Sequence, residues 1–505
     1  MPLKDPIGYA WLQRQYALPT VPLPHASYVA STSGWKEEAG VRTRAWPQAA
    51  WPGETLEGHL EFALKHEGIN LPLLWHLFRH TDSGELARYI AKKPSGKYTR
   101  KSGFLFEFLT GQSLDIGVDL YGRYEPVLDG ERYLCSSNTP NSRWRIHDNL
   151  LGSAAFCPVI EKKPALAQHL SWNPSADLKN LQKHYDPSLF ARATAWLYLM
   201  ETRSTNEIES ETPSPKRTER FVQVLRNAGS KPLAEALSYE ALVDLQATIV
   251  DPKGRISPGM RNIQNFVGSD RLGYGDPLVA YPCPPPQLAV ELLEALLPAG
   301  LRCKGLHPVI RAAVLSFGFV YIHPFEDGNG RISRYLIHDI YVRDGLTPAG
   351  FIFPVSAIIL KRLKEYNEAL EHHSKPIREL ANYDFDPMTH EMRLHNPQLI
   401  EPLFRYPDLT QETLYLMRVT RECADVTLVR ELDHLDRMER AKTALRETLD
   451  LPDRRLNLLL AMIHQNGGKL SANKRRGEFS DLDDQEVADA EGYYRTAFEQ
   501  KFREN

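Results

Sequence analysis

Hydrophobic positions along the chain fall into a few stretches of clear period. From Leu306 to Phe325 the sequence LHPVIRAAVLSFGFVYIHPF is apolar almost throughout, which predicts one long buried helix delivering His323 to a loop. Pro324 ends it, because the residue before a proline is pushed out of the helical region. Beyond the loop, Ile332, Tyr335, Leu336, Ile337 and Ile340 recur at helical spacing and predict a second helix starting directly from it. Upstream, Leu189, Ala193, Trp196, Leu197 and Met200 give the same period between Pro187 and Glu211. Between Pro258 and Pro286 the pattern changes to two short β-prone runs, Ile263 to Val267 and Leu278 to Tyr281, around a glycine-rich turn. Pro284 to Pro286 then reads as the rigid entry to the next helix. The polar stretch ESETPSPKRTER, Glu209 to Arg220, reads as a linker.

These elements divide the 505 residues into three parts. Residues 1–165 carry short helical pieces such as Thr55 to Leu64 and Phe104 to Leu109, with no function attached to them. Residues 166–385 hold the long periodic stretches. Residues 386–505 follow a polar break at Asn396 to Gln398 and read as helical. Within them, Asn457 to Phe479 gives helix, Gly-Gly turn and basic helix, a pattern compatible with a winged-helix-like module.

Composition narrows the class. Hydrophobic content of 42% and charged content of 25% suit a globular protein. A net charge of −3 argues against binding dominated by nucleic-acid phosphates. Two local basic clusters stand apart from that balance. Lys92, Lys93, Lys97, Arg100 and Lys101 read as a solvated basic loop, with a nucleic-acid or partner surface as the alternative, and Lys474 to Arg476 is compatible with DNA contact or an ordinary exposed helix. Five cysteines in no CxxC pair imply reduced thiols, and no apolar leader or membrane-length run occurs, so the expectation is a cytoplasmic location without membrane contact.

The chemistry concentrates in HPFEDGNGRISR, His323 to Arg334. His323 offers a general base near neutral pKa. Asp327 offers a hard oxygen ligand for a metal such as Mg²⁺. Gly328, Asn329 and Gly330 bring bare backbone N–H groups close to an anion at the positive end of the following helix. Arg331 and Arg334, three apart, project from one side of its first turn and suit a polyphosphate. The residues alone therefore describe a nucleotide site.

This segment resembles the HPFx(D/E)GNGRxxR signature of Fic-domain proteins, with every fixed position filled. The resemblance implies a mostly α fold: a Fic-type helical core with a small β-hairpin flap, flanked by N- and C-terminal helical regions. It implies transfer of AMP from ATP to a Ser, Thr or Tyr hydroxyl of a target protein, self-modification included, with ATP as substrate and Mg²⁺ as cofactor. His323 is then the base, Asp327 the metal ligand, Gly328 to Gly330 the hole for the α- and β-phosphates, Arg331 the β-phosphate contact and Arg334 the γ-phosphate contact. Thr205 to Ser210, TNEIES, is similar to the family's (S/T)xxxE(G/N) inhibitory motif, which sets Thr205 and Glu209 against Arg334. Ser210 departs from the Gly or Asn preferred there. Residues 258–286 resemble the target-binding flap, with Ile263, Phe266 and Val267 on its first run. Tyr366 matches an aromatic beside the adenine in relatives. Other readings stay open: a regulatory ATP-sensing or DNA-binding protein with a Fic core, removal of AMP, or transfer from a phosphocholine donor. Phosphate transfer by the Doc branch is disfavoured, because that branch has lysine in place of Gly330.

Overall fold

The apolar run before the loop folds as a helix, Pro308–Ile322, in which only Pro308 and Val320 keep partial exposure. Each Leu, Ile or Phe it buries stabilises the fold by about 1.5–3 kcal/mol relative to exposure. The computed structural model describes residues 5–38, 41–250, 258–269, 277–386, 388–389 and 391–499. In chain order the helices around the site are α1 (Pro187–Ile208), α2 (Pro215–Arg226), α3 (Tyr239–Ile249), α4 (Pro286–Arg302), the buried helix itself as α5, and α6 (Asn329–Arg343). They are followed by α7 (Val355–Lys361), α8 (Leu363–Leu380), α9 (Thr410–Glu422) and α10 (Leu428–Arg446). The fold is mostly α with small sheets, as the sequence implies.

Local chemistry explains the boundaries. In α1, Asp186 caps the start by accepting from the Ser188 N–H, and Pro187 fills the first turn, where a missing N–H costs nothing. Its core stripe is Leu189, Ala193, Leu197 and Tyr198, whereas Trp196 is 42% exposed, outside the stripe expected for it. The expected linker is shorter than the polar composition suggests. Ser214 caps α2 through the Arg217 N–H, so PKRTER is helical and only the turn from Glu209 to Ser214 connects the two helices.

The flap is an antiparallel pair, β8 (Phe266–Ser269) and β9 (Leu278–Pro282), with an irregularity between Val267 and Gly268. Its first strand begins later than the sequence suggests: Ile263 lies before β8 in a bend and is 40% exposed. The glycine-rich turn at 270–276 lies outside the described residues. Pro285 and Pro286 do open α4.

The N-terminal region adds two sheets to the helices expected there. One is four-stranded, β1 (Pro6–Ile7), β2 (Ala26–Val29), β4 (Val41–Trp46) and β3 (Gly34–Glu38) in spatial order, with β2 and β4 parallel. The other orders β5 (Glu125–Pro126), β7 (Ile146–Asp148) and β6 (Thr139–Asn141). The basic stretch read as a loop is helical instead. Lys92 and Lys93 end the helix Ser83–Lys92, and Lys97 opens the helix Lys97–Thr110. Arg100 and Lys101 are buried, and Lys92, Lys93 and Lys97 face Glu57, Glu61 and Glu125 at 3.6, 3.3 and 3.6 Å. These three lysines stay exposed, each beside a carboxylate.

One hydrophobic cluster runs from Tyr9 through α5 and α6 to Leu432, so the N-terminal region, α9 and the start of α10 share a core. A second, smaller cluster joins the end of α10 to α11 (Asp453–Gln465) and α13 (Asp484–Glu499), with α12 (Ala472–Gly477) between them. Among the described residues no strand follows β11 (Met392–Leu394), which pairs with β10 (Tyr383–Phe385), so the wing of a winged helix is not formed. No helix of the described residues is long and apolar enough to cross a membrane.

Candidate active site

Helix α5 ends at His323, whose backbone is left-handed at φ 49° and ψ 55°. Pro324 excludes the ordinary helical conformation there, and histidine is among the residues that tolerate this region best. The imidazole Nδ1 lies 3.1 Å from the Val320 carbonyl, which can only accept. Nδ1 therefore carries the proton and Nε2 is left with its lone pair. Burial pushes the His323 pKa down to about 4. The Val320 carbonyl, Glu209 and Asp327 act against that shift, and Arg261 acts with it.

Phe325 is fully buried and anchors the loop. Asn329 braces it from within: its Oδ1 accepts from the Phe325 N–H at 3.1 Å and its Nδ2 donates to the Phe325 carbonyl at 2.8 Å. The side chain of Asn329 is thus committed to loop shape, and the backbone is what faces an anion. Gly328 has φ 92°, and a Cβ there would lie 2.7 Å from Val250, so the turn into α6 requires glycine. Gln246 of α3 closes the outside, donating to the Asp327 carbonyl at 2.9 Å and accepting from the Gly259 N–H at 2.9 Å.

Arg331 and Arg334, in the first turns of α6, are buried and held by acidic residues just beyond the end of α1. Arg334 donates from Nε to the Thr205 hydroxyl at 2.6 Å, and from Nη2 to the Thr205 carbonyl at 2.9 Å and to Glu209 Oε1 at 2.6 Å. Burial works against its charge, but Glu209, Tyr366 and Glu201 outweigh that and hold its pKa above the ordinary arginine value. Arg331 donates from Nη1 to Glu211 Oε2 and from Nη2 to Asp327 Oδ1, each at 2.7 Å. The same Glu211 oxygen accepts from Arg217 of α2 at 2.7 Å. Asp327 Oδ1 also accepts from the Gly328 N–H at 2.5 Å.

These contacts seat the Glu209 carboxylate between the Arg334 guanidinium and the glycine loop. A Cβ added to Gly330 would lie 2.2 Å from Glu209 Oε1, so Glu209 rests against the loop backbone that a phosphate would approach. Asp327, partly exposed, is a single hard carboxylate at the edge of this cradle, and Mg²⁺ needs only one or two carboxylates besides phosphate oxygens and water.

The structure brings together His323, Asp327, Gly328, Asn329, Gly330, Arg331, Arg334, Thr205 and Glu209. Tyr366 is buried at the same place, close enough to Arg334 and Glu209 to feel both charges, with its ring 5.8 Å from Tyr415. It therefore sits at the arginine end of the cradle. Phe266 packs on Phe385 at 5.4 Å, and Val267 is exposed. His372 is exposed, whereas His373 is buried with its ring 4.1 Å from Tyr321. His338 pairs with Glu201 at 2.8 Å inside the core. Three site residues escape sequence reasoning. Glu211 is signalled only by the Glu-Ser-Glu run it closes, and Gln246 and Arg261 carry no local signal because their partners are far away in sequence.

Residues 236–341 match the model of the Fic/DOC family, and this span contains the loop, α5 and most of α6. The chain therefore carries a Fic/DOC family domain over these residues. A probable protein adenylyltransferase of Aquifex aeolicus is 27% identical over 150 residues, 29% of this chain and 46% of that protein. A protein adenylyltransferase Fic of Nematostella vectensis is 51% identical over 43 residues, 8% of this chain and 10% of that protein. The matched segment spans less than half the length of both relatives. Among solved structures, a Fic family protein from Desulfovibrio desulfuricans G20 matches at a TM-score of 0.38 and 16% identity, covering 63% of this chain and 88% of that one.

Proposed function

We propose that the protein is a protein adenylyltransferase held in a restrained state by the end of α1. In the transfer, a target hydroxyl oxygen attacks the α-phosphorus of ATP. The bond from that phosphorus to the oxygen bridging to the β-phosphate breaks, and pyrophosphate leaves. His323 Nε2 takes the hydroxyl proton, a role for which its neutral, low-pKa form suits it. The loop N–H groups at Gly328 to Gly330 and the α6 N-terminus stabilise the charge that grows on the phosphates. Arg331 and Arg334 hold the β- and γ-phosphates in pairs of hydrogen bonds. Asp327 would hold Mg²⁺, which neutralises charge between the α- and β-phosphates when bound. The flap supports strand pairing with an extended target segment, since β8 has no strand partner but β9 among the described residues.

The observation that carries this reading is the seat of Glu209. It pairs with Arg334 at 2.6 Å and abuts Gly330, so a triphosphate must displace it to bind productively. The test is incubation of wild type and Glu209→Gly with α-labelled and γ-labelled ATP in turn, scoring label on the protein itself and on lysate proteins. Label from the α position only, stronger in the variant, is expected. Transfer of γ label, or none from either position with ATP still bound, rejects the reading.

A further inference from the structure

Arg261 lies at the root of the flap, only 2% exposed, and has no carboxylate within ion-pair distance among the described residues. A buried guanidinium without a counter-ion is costly unless its donors are all used. Here each of its three nitrogens donates to a carbonyl, from three segments. Nε donates to the His323 carbonyl at 2.7 Å, Nη1 to the Ile263 carbonyl at 3.0 Å and Nη2 to the Pro284 carbonyl at 2.5 Å. Its backbone N–H adds a bond to the Pro324 carbonyl at 3.0 Å, and Met260 bridges to Phe325.

Ile263 and Pro284 are the two stems of the flap, so one planar group fixes both stems to the residue that bears the imidazole. The His323 carbonyl is available because the left-handed turn lifts it out of the α5 ladder. The stems have other ties that do not involve His323: Gln264 Nε2 donates to the Cys283 carbonyl at 2.7 Å, and the Tyr281 hydroxyl donates to the Tyr321 carbonyl at 2.6 Å. The hairpin can therefore survive without Arg261. What is lost is its direct link to His323.

We infer that Arg261 is a positioning residue for the transfer: its guanidinium holds the flap and the His323 backbone in one frame, so a segment paired with the flap meets the imidazole at a set distance. This rests on the reading of the site as an AMP-transferring centre. Arg261 touches neither nucleotide nor hydroxyl and acts only through the frame.

The test is run in the Glu209→Gly protein with α-labelled ATP, reading the self-labelling rate at saturating ATP alongside ATP affinity by calorimetry. Arg261→Gln should lower the rate about a hundredfold, the effect of a misplacement near 1 Å, with ATP affinity changed less than about threefold. Arg261→Lys, which keeps the charge but replaces the fork by one ammonium, should show the same split. If Arg261→Gln loses its cooperative melting transition, Arg261→Lys carries the test alone. Equal losses of rate and affinity, or an unchanged rate, overturn the inference. Absence of α-label transfer in the Glu209→Gly parent is a different failure, because it rejects the underlying function before any Arg261 variant is compared.

Discussion

Glu209 and Gly330 meet where no side chain other than hydrogen could stand: the carboxylate oxygen is 2.2 Å from the position of a Gly330 Cβ. On the proposed reading, occupancy of this place by Glu209 and binding of the nucleotide exclude one another.

Glu209→Gly should raise AMP transfer by a factor on the order of 5–150, the range of a coupling of about 1–3 kcal/mol. Arg334→Ala should lower it, and the double variant should be no more active than Arg334→Ala, because the freed arginine is the route of the gain. Initial rates of self-labelling with α-labelled ATP decide this. A double variant as active as Glu209→Gly would remove Arg334 from triphosphate binding.

Glu211→Gln should give a smaller rise than Glu209→Gly and should add to it. Its carboxylate holds Arg331 and Arg217 together at 2.7 Å each, and the neutral amide keeps the shape while weakening the charge-assisted bonds. Arg331 is then freer to turn toward phosphate. Comparing ATP affinities of the two single variants and the double checks additivity.

Asp327→Ala should abolish the Mg²⁺ dependence together with the transfer. Asp327 Oδ1 is shared with Arg331 and Gly328, so its removal also loosens the loop. Nucleotide affinity measured with and without Mg²⁺ separates these effects: the variant should bind equally in both, whereas wild-type behaviour on Mg²⁺ titration would place the metal on other ligands.

The pH profile should be flat where an exposed histidine would titrate. Burial lowers the His323 pKa to about 4, so the imidazole stays neutral, and able to accept a proton, through the range where a free imidazole near 6.5 becomes charged. Activity of the Glu209→Gly protein should hold from about pH 8 to pH 5 and fall only as the pH approaches 4. A midpoint near 6.5 would mean that the imidazole is hydrated during turnover.

The loop, α5, α6 and the end of α1 are legible as structure because each is written within a short stretch of chain: an apolar period, a proline stop, two glycines and two arginines three apart. The flap was legible as a hairpin, but Ile263 was set inside its first strand because β propensity alone cannot mark where pairing starts. In the two N-terminal sheets, strands as short as β1 and β5 leave no alternation to read. Lys101 and Arg100 were misjudged for a related reason. Charge along a sequence does not reveal that the carbonyls of Arg123 and Arg145, each 2.8 Å from Arg100 Nη1, wait in another segment to accept from it.

Ser210, next to Glu209, has φ 55°. Glycine takes that conformation freely, while a residue with a Cβ gives up about 1–2 kcal/mol there. The joint behind the Glu209 carboxylate is therefore strained, and on the proposed reading the serine weakens the grip of the α1 end on Arg334 by part of that amount relative to glycine. Ser210→Gly should relax the strain, lowering basal self-labelling and raising the ATP concentration needed to displace Glu209, as ATP titrations of the two proteins would register. On the proposed reading, a serine at this joint makes Glu209 easier to release than a glycine would.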